Sequence, residues 1–387
     1  MIVLALCALS FLLWAFISGF LFLALKRVPE LSLSHIPAHQ DRRITSRVSV
    51  VIPARNEEQD LADSLNSILA QKGIELEVIV VNDHSSDRTG QIAESFAKSD
   101  PRVQVIHDPP LLPGWLGKCN ALQHGAMAAT GEYLLFSDAD IIHKPGDIAA
   151  SLLLKEKLGY DLLSFMPKFL INLFWESVMV PMYFMGIVLY LTPRIEDPKY
   201  SEAAASGAFI LVDSSVFRSV GGFEKVRGEM YDDVTFAKLV KQSGFKVGFR
   251  LAPDLIQVQL FKKNQEAFWG TTKNVLMVGK GKPWVAVPAS LLSLLLFGPP
   301  LYAVCSGALA GLTEGKAILF FISGLAVYGF QYASLFLSRR IFRFQWFKAL
   351  FFPLSAVVAT CCITRAFYLY LTKGVILWRG RKIKVKP

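Results

Sequence analysis

The stretch Tyr133–Asp140 constrains this chain most, because it joins a short apolar run to two carboxylates one residue apart. An apolar run of this length predicts a buried strand of a parallel sheet, and such a strand presents its carboxyl end to a ligand crevice. Alternation along the strand would place Asp138 and Asp140 on the same side. Two converging carboxylates need a counter-charge, which a divalent cation bound to a diphosphate supplies. The alternative is a strand-end turn with solvated aspartates, since short acidic pairs are common in turns.

Strands and helices alternate around this stretch. Apolar, β-branched runs occur at Val48–Ile52, Leu76–Val81 and Val103–Ile106, and segments long enough for helices separate them. A further strand is expected within Ala203–Val212. The alternation predicts an α/β fold with a mostly parallel, Rossmann-like sheet, helices on both of its faces and a ligand site at the carboxyl ends of its strands.

Long apolar segments point to a membrane. Hydrophobic residues make up 53% of the 387 residues and charged residues only 19%, which is too apolar for an ordinary soluble domain. Ile2–Leu25 is apolar and is followed by Lys26 and Arg27, which predicts a retained transmembrane anchor rather than a cleaved signal. The net charge of +10 suits contact with anionic lipid headgroups or a phosphate-bearing substrate. Since no basic motif of the nucleic-acid-binding type is present, we expect no nucleic-acid partner.

The basic residues after the anchor set the predicted orientation. By the positive-inside rule they place the following domain in the cytoplasm, and we expect an integral protein of a bacterial inner membrane. An apolar segment at 165–191 is interpreted as an interfacial helix, because a full span there would separate later residues from Asp138 and Asp140. The predicted organisation is an anchor at 1–25, a basic linker at 26–47, a catalytic domain at 48–284, C-terminal membrane segments at 285–373 and a basic tail at 374–387.

The C-terminal part contains three apolar stretches. Val285–Leu309 and Lys316–Leu337 are predicted to span the bilayer, whereas Phe347–Leu371 contains Pro353 and Arg365. A full third span would put the basic tail outside, against the positive-inside tendency. Since proline and arginine are costly in a lipid-facing helix, we predict that the third stretch re-enters the membrane instead of crossing it.

Polar residues follow the first two predicted strands. Asp83 lies beside Ser85 and Ser86 at the end of the second strand, where it can accept a hydrogen bond from a uracil N–H or a ribose hydroxyl. The alternative for Asp83 is a residue of an Asx-turn. Glu57 follows the first strand, and there the helix dipole favours an acid whether or not a ligand binds.

Further candidates lie in loops that open helices. Lys118 follows a glycine-broken loop, where its ammonium and backbone amides can hold phosphate, although the spacing is not that of a Walker A loop. Asp232 and Asp233 begin a predicted helix, and burying two adjacent carboxylates raises the pKa of one, as suits a base for an acceptor hydroxyl. The alternative is a pair of acids complementing the helix dipole. His143 is expected to be a surface residue rather than a further metal ligand.

As a set, these motifs resemble the family 2 glycosyltransferases with the GT-A fold. The resemblance covers residues 48–250 and rests on motifs in the family's order: Val48-Ser-Val-Val-Ile-Pro-Ala-Arg-Asn-Glu-Glu58, Val80-Val-Asn-Asp83, Gly131-Glu-Tyr-Leu-Leu-Phe-Ser-Asp-Ala-Asp140 and Asp232-Asp233. It implies that a sugar nucleotide contacts residues of the first two loops and of the following helix: Pro53, Ala54, Arg55, Glu57, Asp83 and Lys118.

The same resemblance implies a role for each of the later acids. Asp138 would contact the ribose and the diphosphate and share Mg²⁺ or Mn²⁺ with Asp140. Asp233 would be the base of an inverting displacement, with Asp232 beside it.

Other segments resemble the membrane-bound branch of the family that glycosylates lipids. That branch includes hopanoid-associated, carotenoid (chlorobactene-type) and ceramide glucosyltransferases. The segments are Leu112-Pro-Gly-Trp-Leu-Gly-Lys118, Phe174-Trp-Glu176, Ala203-Ala-Ala-Ser-Gly-Ala-Phe209, Gly221-Gly-Phe223 and Trp378-Arg-Gly-Arg381. One departure is that many members carry a Gln/Arg-x-x-Arg-Trp motif after the base, where this chain has Phe268-Trp-Gly-Thr-Thr-Lys-Asn274.

The sequence thus predicts an enzyme that makes a single, metal-dependent, inverting transfer of a hexose, with glucose expected. The donor is a UDP-sugar and the acceptor is a hydroxyl of a membrane lipid. One alternative is a processive polysaccharide synthase, which the few apolar spans and the missing Arg-Trp motif oppose. Another is a membrane scaffold with a degenerate glycosyltransferase domain, which the intact acidic motifs oppose.

Overall fold

The computed structural model describes residues 1–27, 45–180, 193–278, 284, 287–342, 346–372, 375–378 and 381–384. The chain forms two compact units. The helical unit begins with α1 (Ile2–Arg27) and consists of Met1–Arg27, Leu170–Tyr190 and Gln259–Pro387, and the sheet unit consists of Val28–Phe169 and Leu191–Val258. The division after Val258 falls earlier than the predicted end of the catalytic domain at 284.

A seven-stranded sheet forms the centre of the sheet unit. Its strands lie in the order β3, β2, β1, β4, β8, β6, β9. The first four run parallel, β8 pairs antiparallel with both β4 and β6, and β9 is parallel to β6, so the predicted mostly parallel sheet is confirmed with one reversed strand. The strands are β1 (Arg47–Ala54), β2 (Glu75–Asn82), β3 (Val103–His107), β4 (Tyr133–Phe136), β6 (Leu162–Met166), β8 (Ile210–Asp213) and β9 (Val247–Leu251).

Helices cover both faces of this sheet, as predicted. Side chains alternate along a strand, so Val50 and Ile52 of β1 pack with Leu65 of α2 on one face, while Val51 packs with Leu122 of α4 on the other. The helices of the sheet unit are α2 (Leu61–Leu69), α3 (Thr89–Ser99), α4 (Gly117–Ala128), α5 (Asp147–Leu158), α6 (Ser214–Val220) and α7 (Asp232–Gln242).

The chain leaves the sheet earlier than predicted at the acidic stretch. Strand β4 ends at Phe136, and the residues from Asp138 to Asp140 form a turn that leads into β5 (Ile141–His143). The Asp138 N–H donates to the Gly207 carbonyl oxygen at 3.1 Å instead of continuing the β4 ladder. Asp138 and Asp140 therefore lie beyond the strand, because the loop at Gly207 takes over the hydrogen bonding, and their placement on the same side stays a prediction.

The apolar segment at 165–191 is not a single helix. Phe165 lies in β6, is fully buried and stacks on Phe209 with ring centroids 4.6 Å apart. Lys168–Phe169 form β7, which pairs with β10 (Ile256–Val258), and residues 174–180 are helical. The predicted interfacial helix is thus wrong for residues 165–173. Strands β8 and β9 hydrogen-bond to β6 from both sides, and β10 pairs with β7. Residues 181–191 lie outside the described part of the chain.

The helical unit contains the predicted membrane segments. Within the part of the chain that the structure describes, four helices are long and apolar enough to cross a membrane: Ile2–Leu23, Ser290–Leu309, Gly315–Phe336 and Leu354–Thr372. The stretch at 347–371 is a 3-10 helix (Trp346–Phe351) followed by a helix of 19 residues, and its re-entry stays a prediction. The helices after α1 are α8 (Asn264–Val278), α9 (Val287–Leu309), α10 (Gly315–Phe342) and α11 (Leu354–Thr372).

Helix α1 packs against helices from the far end of the chain. The buried Ser10 hydroxyl donates to the Leu296 carbonyl oxygen of α9 at 2.6 Å. The Trp14 ring lies 5.5 Å from the Phe297 ring, and Cys7 packs with Ala303. The predicted basic tail contains an antiparallel hairpin of β11 (Val375–Trp378) and β12 (Arg381–Lys384), whereas most of the predicted linker lies outside the described residues.

Candidate active site

Three of the predicted site residues follow neighbouring parallel strands. Arg55 comes after β1, Asp83 after β2 and Asp138 after β4, and β1 lies between the other two strands. Because parallel strands end at the same edge of a sheet, their carboxyl ends form one rim. The structure therefore brings these three positions to a common edge.

The loops after β1 and β2 hold each other through hydrogen bonds. The Asp83 N–H donates to the Ala54 carbonyl oxygen at 2.8 Å, and the Arg55 guanidinium donates to the carbonyl oxygens of Asp83 at 2.6 Å and His84 at 3.1 Å. Asp83 is 3% exposed, so it is buried between these two loops. Ala54 is fully buried as a whole residue, so its contact with a sugar nucleotide stays a prediction.

Glu57 lies in the same loop, ahead of the start of α2 at Leu61. Its N–H donates to the Thr89 hydroxyl at 2.7 Å, and its carbonyl oxygen accepts the Leu61 N–H at 3.0 Å. Asn56 has a φ of 54° and accepts the Ser86 N–H on its side-chain oxygen at 2.8 Å. These contacts fix the loop that follows Pro53 at the end of β1.

Lys118 joins the acids of two distant loops. Its ammonium lies 2.6 Å from Asp138 Oδ1 and 3.9 Å from Asp232 Oδ2. Burial alone would lower the pKa of Lys118, but Asp138, Asp232 and Asp233 overcome it and raise that pKa above its ordinary value. The lysine therefore stays charged and serves as the counter-ion of the acid cluster.

The remaining acids of the cluster bind protons more tightly than exposed aspartates. Burial, followed by the charges of Asp138 and Asp60, raises the pKa of Asp140 to about 7 against the opposing effect of Lys118. Burial also raises the pKa of Asp232 to about 7, with Lys118 opposing and Asp233 adding to the shift. The pKa of Asp233 is raised by burial as well, although Lys118 and two backbone N–H groups counteract it.

A single peptide unit links the two pairs of acids. The Gly207 carbonyl oxygen accepts the Asp138 N–H at 3.1 Å, and the Gly207 N–H donates to Asp233 Oδ2 at 3.0 Å. A Cβ at position 207 would lie only 2.6 Å from Lys118 Nζ and 2.9 Å from Asp138 Oδ2. The glycine thus permits the close approach of backbone, lysine and carboxylate that defines this site.

The carboxylates fit a divalent cation only in part. Asp138 and Asp140 are close enough for one charge to raise the pKa of the other, which is the arrangement that a cation would relieve. Among the described residues, however, no group of three or more His, Cys, Asp or Glu side chains can hold a metal ion. Mg²⁺ commonly takes one or two carboxylates and completes its shell with water and substrate phosphates, so the fit requires a bound diphosphate.

Three features of the site were not predicted from the sequence. Asp60 and Gly207 were missed, although an acid before the apolar pattern of α2 and a glycine within a run of small residues are visible signals. His143 was expected at the surface, but it is 3% exposed. Its Nδ1 lies 2.7 Å from Asp147 Oδ2 and its Nε2 lies 3.0 Å from the Ser137 hydroxyl. Strand β5 pairs with β10, and the His143 N–H donates to the Ser67 hydroxyl of α2. Both ring nitrogens are therefore engaged.

Comparisons with known proteins agree on the type of domain. Residues 49–191 match the model of the family described as Glycosyl transferase family 2. The chain is 25% identical over 348 residues to the 4,4'-diaponeurosporenoate glycosyltransferase of Staphylococcus aureus strain bovine RF122 / ET3-1, a match covering 87% of this chain and 88% of that protein. The protein of the same name from strain MRSA252 is also 25% identical, with the same coverage.

One solved structure shares the fold over nearly the whole chain. It is the mannosyltransferase PcManGT from Pyrobaculum calidifontis in complex with GDP-Man and Mn²⁺, with a TM-score of 0.52 and 15% identity. The likeness covers 94% of this chain and 98% of that one. It confirms the predicted GT-A type of architecture.

Proposed function

We propose that this chain, whose residues 49–191 match the model of glycosyl transferase family 2, is a transferase that moves a hexose from a UDP-sugar to a hydroxyl of a membrane lipid. The observation that carries the proposal is the cluster in which Lys118 lies 2.6 Å from Asp138 and 3.9 Å from Asp232. Such a cluster at the carboxyl ends of parallel strands combines a phosphate-binding cation with carboxylates that can take a proton.

The donor occupies the rim formed by the first two loops and the acidic turn. Buried Asp83 accepts a hydrogen bond from the uracil or the ribose, in a loop that Arg55 keeps rigid through 2.6 Å and 3.1 Å hydrogen bonds. Lys118 moves from Asp138 to the diphosphate and neutralises part of the charge that develops as the sugar leaves. Asp138 is then free to contact the ribose and the diphosphate.

Mg²⁺ or Mn²⁺, held by Asp140 and Asp138, would neutralise further charge on the departing diphosphate. This assignment is supported by the mutual influence of the two carboxylates on the pKa of Asp140.

Asp233 is the base of the displacement. Its raised pKa brings proton uptake closer to neutral pH than in an exposed aspartate, and hydrogen bonds from Gly207 at 3.0 Å and Val234 at 2.7 Å fix its carboxylate. Asp233 takes the hydroxyl proton while the acceptor oxygen bonds to the anomeric carbon and the bond from that carbon to the diphosphate breaks. The reaction inverts the anomeric configuration and releases UDP.

The membrane supplies the acceptor. Four helices that can cross a bilayer tether the catalytic domain beside lipid, and the basic residues after α1 support a cytoplasmic position on the inner membrane. Single addition is proposed over processive synthesis because the chain lacks the Arg-Trp motif named above. A non-catalytic scaffold would have no need for a fixed base or for a lysine enclosed by carboxylates.

The name of the relatives favours a second acceptor class, a lipid carboxylate. The name 4,4'-diaponeurosporenoate denotes a carboxylate, and a carboxylate acceptor carries no proton for Asp233 to remove. The two acceptors leave different products, because a glycosyl ester is cleaved by mild alkali and a glycoside is not. Alkaline treatment of the product therefore distinguishes them.

The test measures transfer of labelled hexose from UDP-glucose into the lipid fraction by the purified protein in membrane vesicles. We expect Asp233→Asn to lose roughly 10²-fold to 10⁴-fold in kcat while UDP binding is retained, which is the range for a lost general base. Asp63→Asn, at an exposed position of α2, is the matched control and should be unchanged. Full turnover by Asp233→Asn would exclude it as the base, and long polymers on a gel would favour a synthase.

A further inference from the structure

Arg365 is an unusual residue for its helix. It is the only charged residue in α11, which is long and apolar enough to cross a membrane. Its side chain is nevertheless exposed. A charged side chain in such a segment is costly unless it reaches water, headgroups or an oppositely charged partner, so its presence needs an explanation.

The guanidinium of Arg365 is held over an aromatic ring. Its Cζ lies 4.6 Å from the centroid of Trp269 of α8, within the distance for a cation–π contact. One turn earlier on α11, the Cys362 thiol donates to the Phe268 carbonyl oxygen at 3.1 Å. These two contacts, one helical turn apart, hold α11 against α8, so the guanidinium of Arg365 has a defined position.

No acid neutralises this arginine within the described residues. The ion pairs found there do not include Arg365. The buried acid of the same unit, Glu176, accepts backbone N–H groups from Asn172 and Leu173 at 2.9 Å and from Phe261 at 3.2 Å. Glu266 of α8 accepts the Lys262 N–H at 3.2 Å. Both carboxylates thus accept hydrogen bonds from the backbone.

The contact lies at a boundary between polar and apolar surface. Helix α8 opens with exposed Asn264, Gln265 and Glu266, and its next turn packs Phe268 and Trp269 against α11. A cation at such a boundary can meet the charged end of a lipid whose chains lie in the apolar region. A guanidinium is also suited to two parallel hydrogen bonds with a phosphate or a carboxylate.

We propose that Arg365, stacked on Trp269, binds the oxyanion of an anionic membrane lipid, a phosphate or a carboxylate. The tryptophan ring covers one face of the guanidinium and leaves its N–H groups for the lipid. The site belongs to the helical unit and does not depend on the proposed glycosyl transfer. An anionic lipid there would offset the cost of placing arginine in an apolar helix.

The experiment counts lipids bound to the full-length protein, purified in a neutral detergent, by native mass spectrometry without any sugar donor. The probes are phosphatidylglycerol, palmitate, zwitterionic phosphatidylcholine and inorganic phosphate. We expect phosphatidylglycerol and palmitate to bind, with Arg365→Gln weakening both by about tenfold, the loss of one charge-assisted interaction. Lys316→Gln, which removes an exposed charge from the start of α10, should change neither.

Several results would overturn the site. Equal losses in Arg365→Gln and Lys316→Gln would indicate non-specific attraction to a basic protein, and displacement of lipid by millimolar inorganic phosphate would indicate a soluble ligand. Should Arg365→Gln fail to fold, Arg365→Lys keeps the charge but not the planar fork, and wild-type affinity in that variant would refute a stacked guanidinium site. Because no donor is present, failure here is distinguishable from failure of the transferase proposal.

Discussion

Replacing Gly207 with alanine tests whether the acids of the site depend on one close contact. The new Cβ would lie 2.6 Å from Lys118 Nζ and 2.9 Å from Asp138 Oδ2, both shorter than carbon tolerates. Either Lys118 leaves Asp138, or the loop moves and stretches the hydrogen bonds of Gly207 to Asp138 and Asp233. Both routes disturb groups that the proposed reaction uses.

The expected fall in kcat/KM follows from the energy of the hydrogen bond that Gly207→Ala would break. A hydrogen bond to a charged group is worth about 1.5–3 kcal/mol, so losing one should lower kcat/KM by roughly 10-fold to 100-fold. Stability should change little, because the Lys118 side chain is 24% exposed and can turn toward solvent. Restricting the unfolded chain by replacing glycine offsets part of any cost, by about 0.4–1 kcal/mol.

The assay compares kcat/KM and the thermal midpoint of Gly207→Ala with those of Gly228→Ala. At position 228 a Cβ meets only the Gly114 carbonyl oxygen, at 3.4 Å, so that variant is a matched control. In a Lys118→Ala background, Gly207→Ala should cost less than in the wild type, since the clash with the ammonium is gone and only that with Asp138 Oδ2 remains. Wild-type kcat/KM in Gly207→Ala, or a loss that only mirrors a fall in thermal midpoint, would refute the reasoning.

Three further predictions concern charge. Because the pKa of Asp140 is about 7, the affinity for Mn²⁺ in the presence of UDP should fall as the pH drops below 7, by an amount approaching tenfold per pH unit. Calorimetry that gives equal Mn²⁺ affinities at pH 5.5 and pH 8 would contradict this. The pKa of Asp140 is higher in the folded chain than in the unfolded chain, so its carboxyl is fully tolerated below the unfolded pKa and destabilises the fold as pH rises through the folded pKa. Asp140→Asn should therefore raise the thermal midpoint at pH 8 and not at pH 4. The opposite trend would contradict the burial argument. His143→Phe removes the ring-nitrogen partners of Asp147 and of Ser137, whose hydroxyl keeps its hydrogen bond to the Ala208 carbonyl oxygen. Denaturant titration should show a loss of about 3 kcal/mol in the free energy of unfolding, chiefly from the buried Asp147, and an unchanged midpoint would exclude that network as a stabilising element.

Local sequence patterns were sufficient to predict the strands and the residues that lie at the carboxyl ends of those strands. Continuous β-branched runs predicted β1, β2 and β3, and polar residues directly after such runs must lie at strand ends. The acids that open α7 were predicted for a similar reason, since their position depends on one helix start. The structure adds that Asp232 is buried, Asp233 is half-buried, and the charge of Lys118 acts on both.

The errors arose where distant segments determine local structure. Phe165 is followed by apolar residues, as in a membrane segment. It is nevertheless a strand residue, because β8 and β9, which lie far along the chain, pair with β6 on its two sides. The turn at Asp138 is set by Gly207, which no periodicity links to it. His143 is buried because Asp147 and Ser137 satisfy its ring nitrogens, a pairing that single-residue preferences do not reveal.

The split origin of the helical unit has a consequence for biosynthesis. The Ser10 hydroxyl donates to Leu296, a partner 286 residues later in the chain. At translation rates of about 5–20 residues per second, roughly 15–60 seconds separate their emergence from the ribosome. Until then α1 exists without α9 beside it, while the intervening catalytic domain can already fold. A stalled or shortened nascent chain would leave an orphan first helix for quality-control proteases.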